Sequence, residues 1–157
     1  MKLQKELGWK QGFHSTPHEA LLNLYFTASR IKKHADEFFR KRGLTEVQFN
    51  VLALLGFQSG EKGGLTQVEL SRMMLVNRAN VTSLVDRMEK GKLVRRCDDP
   101  GDRRYNVIRL TPQGKKMFEQ VEQDYAREVN RMMSPLKKSQ LSSLIDMLEQ
   151  LRENLIE

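Results

Sequence analysis

Between Asn77 and Arg87 the chain alternates amide, hydroxyl and guanidinium side chains with apolar ones at helical spacing. If Val81, Leu84, Val85 and Met88 turn inward, then Ala79, Asn80, Ser83, Asp86, Arg87 and Lys90 fall outward or to the side, with Thr82 at the boundary. Asn77 and Arg78 stand at the entrance to this segment. Asn, Arg, Thr and Ser are the side chains that hydrogen-bond base edges in a major groove or hold phosphates, and a small residue such as Ala79 lets the backbone come close. Taken in isolation, the segment reads equally well as a solvated polar helix face. Further along, Arg103 and Arg104 sit beside the tight turn Asp99-Pro100-Gly101-Asp102. A guanidinium on a narrow projecting tip suits a minor groove, where A·T-rich sequence deepens the negative potential. Asp102 has two readings: it holds one of these arginines by an ion pair and so aims the other, or it accepts backbone N–H groups in the turn.

These residues need elements to position them, and the capping pattern supplies them. Thr16-Pro17-His18-Glu19 reads as a helix start, with Thr16 as cap and Glu19 completing the box, and Leu21, Leu24, Ala28, Ile31, Ala35 and Phe38 follow at spacings of three and four. A second stripe through Leu22, Tyr25, Phe26 and Ser29 means that this helix has two partners to satisfy. Thr45 with Gln48 starts another helix, and Thr66 with Glu69 a third, which runs to about Met74. The short link Leu75-Val76-Asn77 then leads into the polar helix, giving two helices joined by a tight turn, the helix-turn-helix arrangement. Thr66 and Gln67, at the start of its first helix, join the candidate DNA contacts.

The period then changes. Leu93 to Cys97 reads as a short strand and Tyr105 to Leu110 as its partner, with Tyr105, Val107 and Arg109 expected on one side and Asn106, Ile108 and Leu110 on the other. A hairpin directly after a helix-turn-helix makes a winged helix. Thr111-Pro112 opens a long helix bearing Phe118, Val121, Tyr125, Val129 and Met132, and after Ser134-Pro135 a last helix shows Leu141, Leu144, Leu148, Leu151 and Leu155. The expected fold is mainly α with a small β-hairpin wing: a winged helix-turn-helix domain with long N- and C-terminal dimerisation helices. We expect one domain over 1–157, with dimerisation helices at 17–42 and 112–157 and the winged helix-turn-helix at 44–111. The first and last two helices carry more apolar surface than so short a chain needs for itself, and a homodimer is their simplest use.

Charge agrees with this placement. Residues 1–60 carry nine Lys/Arg against five Asp/Glu (+4), residues 61–116 thirteen against seven (+6), and residues 117–157 five against eight (−3). A basic middle is the footprint of a polyanion binder, although a basic solvated surface has the same composition. With 39% hydrophobic and 30% charged residues the composition is that of a globular protein, no apolar run approaches the ~20 residues of a membrane span, and a cytoplasmic location is expected. Enzyme chemistry finds no footing: the sequence has no Gly-rich phosphate loop, no Ser or Cys nucleophile with a nearby His, and its three histidines all lie in the first 34 residues. His14 and His18 stand four apart without a compact ligand set, so neither metal nor other cofactor is expected. Cys97 is a small core residue or a redox sensor.

The spacing Asp102-x-Arg104, five residues, then Leu110-Thr111 resembles the D-x-R-x-x-x-x-x-L-T wing signature of the MarR family of bacterial and archaeal regulators. Val76 to Val94 looks like that family's recognition helix and its exit, and the helix order is similar from about His18 to Leu155. Asn77 and Asn80 stand where the family commonly has serine and threonine, a departure that bears on operator sequence. The resemblance implies a transcriptional regulator, commonly a repressor, binding a pseudo-palindromic operator as a homodimer. Recognition helices would enter successive major grooves and wings the flanking minor grooves of double-stranded DNA. It also implies release by a small aromatic or anionic effector held between the dimerisation helices and the winged domain. His18, Leu22, Tyr25 and Phe49 are the candidates to line that cleft, with core packing as the other fate for each. A protein-interaction winged helix that has abandoned DNA is the alternative from another class. It calls for an acidic or apolar recognition face, which Arg78, Asn80, Thr82 and Arg87 do not supply.

Overall fold

A computed structural model of the chain describes residues 2–60, 63–74, 78–98 and 106–155, and for Arg78 the backbone only. A short helix, α1 (Leu3–Glu6), precedes the long α2 (Thr16–Arg40). Leu3 is buried and Glu6 pairs with Arg30 of α2, so the N-terminal segment folds back on that helix. The cap of α2 is Ser15 rather than the expected Thr16. Ser15 is extended, and its hydroxyl accepts the His18 amide at 3.4 Å, while Thr16 is already helical. The proline then occupies the first turn as expected. In α3 (Glu46–Phe57) the Thr45–Gln48 capping box forms as read: the Thr45 amide donates to Gln48 Oε1 and the Gln48 amide to Thr45 Oγ1.

The remaining elements are β1 (Leu65–Thr66), α4 (Gln67–Met74), α5 (Arg78–Lys90), β2 (Val94–Asp98), β3 (Asn106–Leu110), α6 (Pro112–Met133) and α7 (Lys138–Glu153). The hairpin β2–β3 is antiparallel with Val94 opposite Leu110 and Asp98 opposite Asn106. It is joined by β1, which the sequence reading missed, to give a sheet in the order β1-β3-β2. Leu65 pairs with Ile108 and Thr66 with Val107. Both faces of β3, the central strand, are covered. Val107 and Ile108 are both buried because helices α3, α4 and α6 pack around the strand.

The core lies where α2, α3 and α6 meet the winged region. Phe38, Phe39, Phe49 and Phe118 are buried with Tyr125 packed against them, the Phe39 and Phe49 rings stacking at 4.7 Å between centroids. Polar links fix α6 along α2: Arg42 donates to Asp124 at 3.1 Å and lies 3.6 Å over the Phe38 ring, and His34 pairs with Glu128. Glu128 also accepts from Arg131, and these two partners hold its carboxyl down at about 2. The N-terminal two-thirds of α2 leaves this core, with Leu21, Tyr25, Phe26 and Ile31 exposed, and α7 has no buried residue at all. Among the described residues no helix is long and apolar enough to cross a membrane.

Candidate nucleic-acid interface

Helices α4 and α5 pack through Leu70, Val81, Leu84, Val85 and Met88, all buried. That choice of inward face turns Ala79, Asn80, Ser83, Asp86, Arg87 and Lys90 to the exposed side of α5 and leaves Thr82 half-buried. Asn80, Ser83 and Arg87 follow one another at spacings of three and four, so they form one ridge. Arg87 is anchored along it by its Nε, which donates to the Ser83 carbonyl at 3.3 Å. Thr66 is committed elsewhere: its hydroxyl accepts the Glu69 amide at 3.2 Å and donates to Glu69 Oε2 at 2.9 Å, capping α4. Gln67 follows it, half-buried. Asn77, Asp102, Arg103 and Arg104 lie outside the described residues, as does the side chain of Arg78.

Helix α5 passes into the hairpin through Gly91, Lys92 and Leu93, with Lys92 in the left-handed region at φ 58° and the Leu93 amide bonded back to the Met88 carbonyl at 2.9 Å. From β2, Arg96 reaches back to this helix. Its guanidinium donates to Asp86 and to Glu89, each at 2.5 Å, and its backbone amide donates to Glu89 Oε1 at 2.8 Å. Burial opposes the Arg96 charge, but the hydrogen bonds and charges of Asp86 and Glu89 outweigh it and hold its pKa above the usual value. Thr111 closes the other side. Its hydroxyl donates to the Lys92 carbonyl at 2.5 Å and accepts the Gly114 amide at 3.0 Å, so one residue caps α6 and holds the exit of α5.

The four cleft candidates fall in different surroundings. Phe49 is 4% exposed within the aromatic core, whereas Tyr25 is 62% exposed on the outer part of α2. His18 stacks on His14 at 5.7 Å and meets Phe13 edge-on, with its Nδ1 buried and without a hydrogen-bond partner, and Leu22 is half-buried. An open, mainly apolar cavity of about 400 Å³ lies between α3 and α4, lined by Val47, Ala53, Leu54, Phe57 and Met73 among others. Cys97 is half-buried in β2 opposite Val107.

Residues 42–104 match the family model described as MarR family. The chain is 36% identical over 110 residues to the uncharacterized HTH-type transcriptional regulator YsmB of Bacillus subtilis, covering 68% of this chain and 73% of that protein. The chain belongs to the MarR family. It is also 28% identical over 140 residues to the HTH-type transcriptional regulator MhqR of the same organism, covering 87% of this chain and 94% of the relative. Its fold is that of the MarR winged helix. AbsC, a MarR family transcriptional regulator from Streptomyces coelicolor, superposes with a TM-score of 0.80 at 20% identity, covering 92% of this chain and 98% of that one. A MepR–DNA complex from Staphylococcus aureus superposes at 0.74 and 21% identity, covering 86% and 96%. These relatives and this fold are those of transcriptional regulators, not of enzymes.

Two parts of this MarR-family site escaped the sequence reading. Asp86 falls outward as the helical spacing implies, but nothing in the sequence pattern marks Arg96, in a strand, as its partner, or gives Glu89 a role. Contacts between residues seven and ten apart across a turn leave no periodic trace. The threonine of the wing signature, Thr111, has a structural duty, because its hydroxyl secures the α5 exit.

Proposed function

We propose that this protein is a sequence-specific DNA-binding transcriptional regulator of the repressor type, acting in the cytoplasm as a homodimer on a pseudo-palindromic operator. The observation that carries the reading is the exposed ridge Asn80, Ser83 and Arg87 on α5, beside a hairpin fixed to the same helix. Residue types that read major-groove edges occupy the one face of α5 not used by the core. Helix α5 is the recognition helix in this reading, with Asn77, Arg78, Ala79 and Thr82 as further candidate contacts and Asp102, Arg103 and Arg104 as the candidate wing contacts; Gln67 is the candidate backbone contact at the start of α4, and Thr66 contributes there by capping that helix. MepR, a protein of similar fold, has been solved in complex with DNA, which supports DNA as the partner.

The homodimer rests on apolar surface that the single chain leaves uncovered: Leu21, Tyr25, Phe26 and Ile31 on α2, and Ile145, Met147 and Leu151 on α7. Regions 17–42 and 112–157 form the dimerisation arms, and 44–111 the DNA-binding part. A small aromatic or anionic effector would enter beside the α2 residues His18, Leu22 and Tyr25. Phe49, the fourth candidate, is buried in the aromatic core.

The test is selection of bound fragments from genomic DNA by the purified protein, followed by affinity measurements on the recovered duplex. Affinity should fall about a thousandfold between low and physiological salt, because several phosphates are neutralised. Arg87→Ala and Arg104→Ala should each weaken binding about tenfold or more while leaving the melting temperature in place. Failure of the wild-type protein to retain any duplex would return the field to a protein-interaction winged helix.

A further inference from the structure

The recognition helix and the wing are separate elements of secondary structure, joined only by Gly91, Lys92 and Leu93. A three-residue joint with a left-handed residue at its centre fixes one point of attachment and leaves the angle between the two elements to other contacts. Arg96 supplies a second point. It sits in the middle of β2, opposite Ile108, and binds Asp86 and Glu89 on successive turns of α5 by its side chain, with its own amide bonded to Glu89 as well. A guanidinium fork held by two carboxylates three residues apart constrains direction as well as distance, which a single ammonium contact does not.

The same contact also has an electrostatic result. Asp86 and Glu89 flank Arg87 in sequence on the helix that faces phosphate in the proposed function, where free carboxylates would repel the backbone. Arg96 draws both toward the hairpin and offsets one of their two negative charges.

We infer that Arg96 is a positioning residue, not a DNA contact. It locks the hairpin to the recognition helix so that major-groove and minor-groove contacts are made together. The inference rests on the DNA-binding reading above. If the two elements are locked, contacts made by the wing add fully to those made by α5; if the lock is removed, the wing must be oriented at the moment of binding and its contribution shrinks.

The experiment uses the full-length protein and the duplex recovered by selection, together with the same duplex carrying G·C pairs in place of A·T pairs in its outer flanks, where the wing would lie. Wild type should prefer the unaltered duplex. Arg96→Met, which keeps the length of the side chain and loses the fork, should bind the unaltered duplex about tenfold more weakly, the size of one lost groove contact, while its affinity for the flank-altered duplex stays within about twofold of wild type. Arg96→Lys should restore part of the difference. Asp86→Asn, which removes one leg of the clamp without touching Arg96, should show the same pattern in smaller degree and serves if Arg96→Met does not fold. Equal weakening on both duplexes, or no weakening on either, overturns the positioning role while leaving DNA binding in place. Absence of wild-type binding to any duplex defeats the underlying reading instead.

Discussion

Gly114 lies in the first turn of α6, directly against the point where α5 gives way to β2. A Cβ built on it would overlap the Leu93 carbonyl oxygen outright, and would lie 2.8 Å from the Leu93 carbonyl carbon and 3.2 Å from its Cα. Ordinary contacts sit at about 3.2–4.0 Å, so the overlap with the Leu93 carbonyl oxygen alone requires the backbone to give by more than about an ångström in Gly114→Ala. Backbone cannot rotate away as a side-chain tip can. Overpacking of this kind costs about 3 kcal/mol, against which alanine returns roughly 1 kcal/mol of helix propensity, for a net loss of about 2 kcal/mol. In a chain of this size that lowers the melting temperature by about 4–8 °C. Thermal unfolding followed by circular dichroism at one fixed protein concentration measures it, with Gly12→Ala as control, since a Cβ there meets nothing within 4 Å. The control should shift by less than about 0.5 kcal/mol. A Gly114→Ala protein as stable as wild type would refute the claim that α6 is seated directly on the recognition-helix exit.

Phe49→Ala removes a ring that touches Phe39, Phe118 and Tyr125, and should cost about 3–5 kcal/mol in urea unfolding, marking Phe49 as a core residue before any other role. Glu128, held at about 2 by Arg131 and His34, stabilises the fold fully above its ordinary value of 4.5 and loses that contribution as pH falls toward 2. Glu128→Gln should therefore flatten the decline of the urea midpoint through that acid window; an unchanged slope argues against the α2–α6 link. Leu151→Glu, on the exposed side of α7, should shift the sedimentation coefficient from dimer toward monomer with helix content largely retained.

How much of this was legible in the sequence depended on whether the cause was local. Capping is local, and Thr45–Gln48, Thr66–Glu69 and Thr111 with Pro112 placed three helix starts correctly. At Ser15-Thr16 two adjacent hydroxyls offered the same cap, and only the backbone dihedrals decide between them. Strand β1 is hidden because two residues are too few for a period, and Gly60, Gly63 and Gly64 just before it interrupt any helical pattern. In the structure Gly64 is buried against β3, where a Cβ would meet the Ile108 carbonyl at 2.6 Å, so this glycine serves close approach to the sheet. The outward face of α5 could be read because its inward face is so plainly apolar, whereas the Arg96 clamp depends on a turn geometry that no spacing rule encodes.

Helix α7 has no fully buried residue within its own chain although apolar residues run its whole length. On the proposed assembly, that surface is satisfied only when a second copy arrives. The competent species then grows with the square of the protein's abundance wherever subunits are scarce, and linearly only once they are plentiful. A small change in expression or turnover would thus be amplified before any effector is sensed, making synthesis of the chain itself an input to the switch.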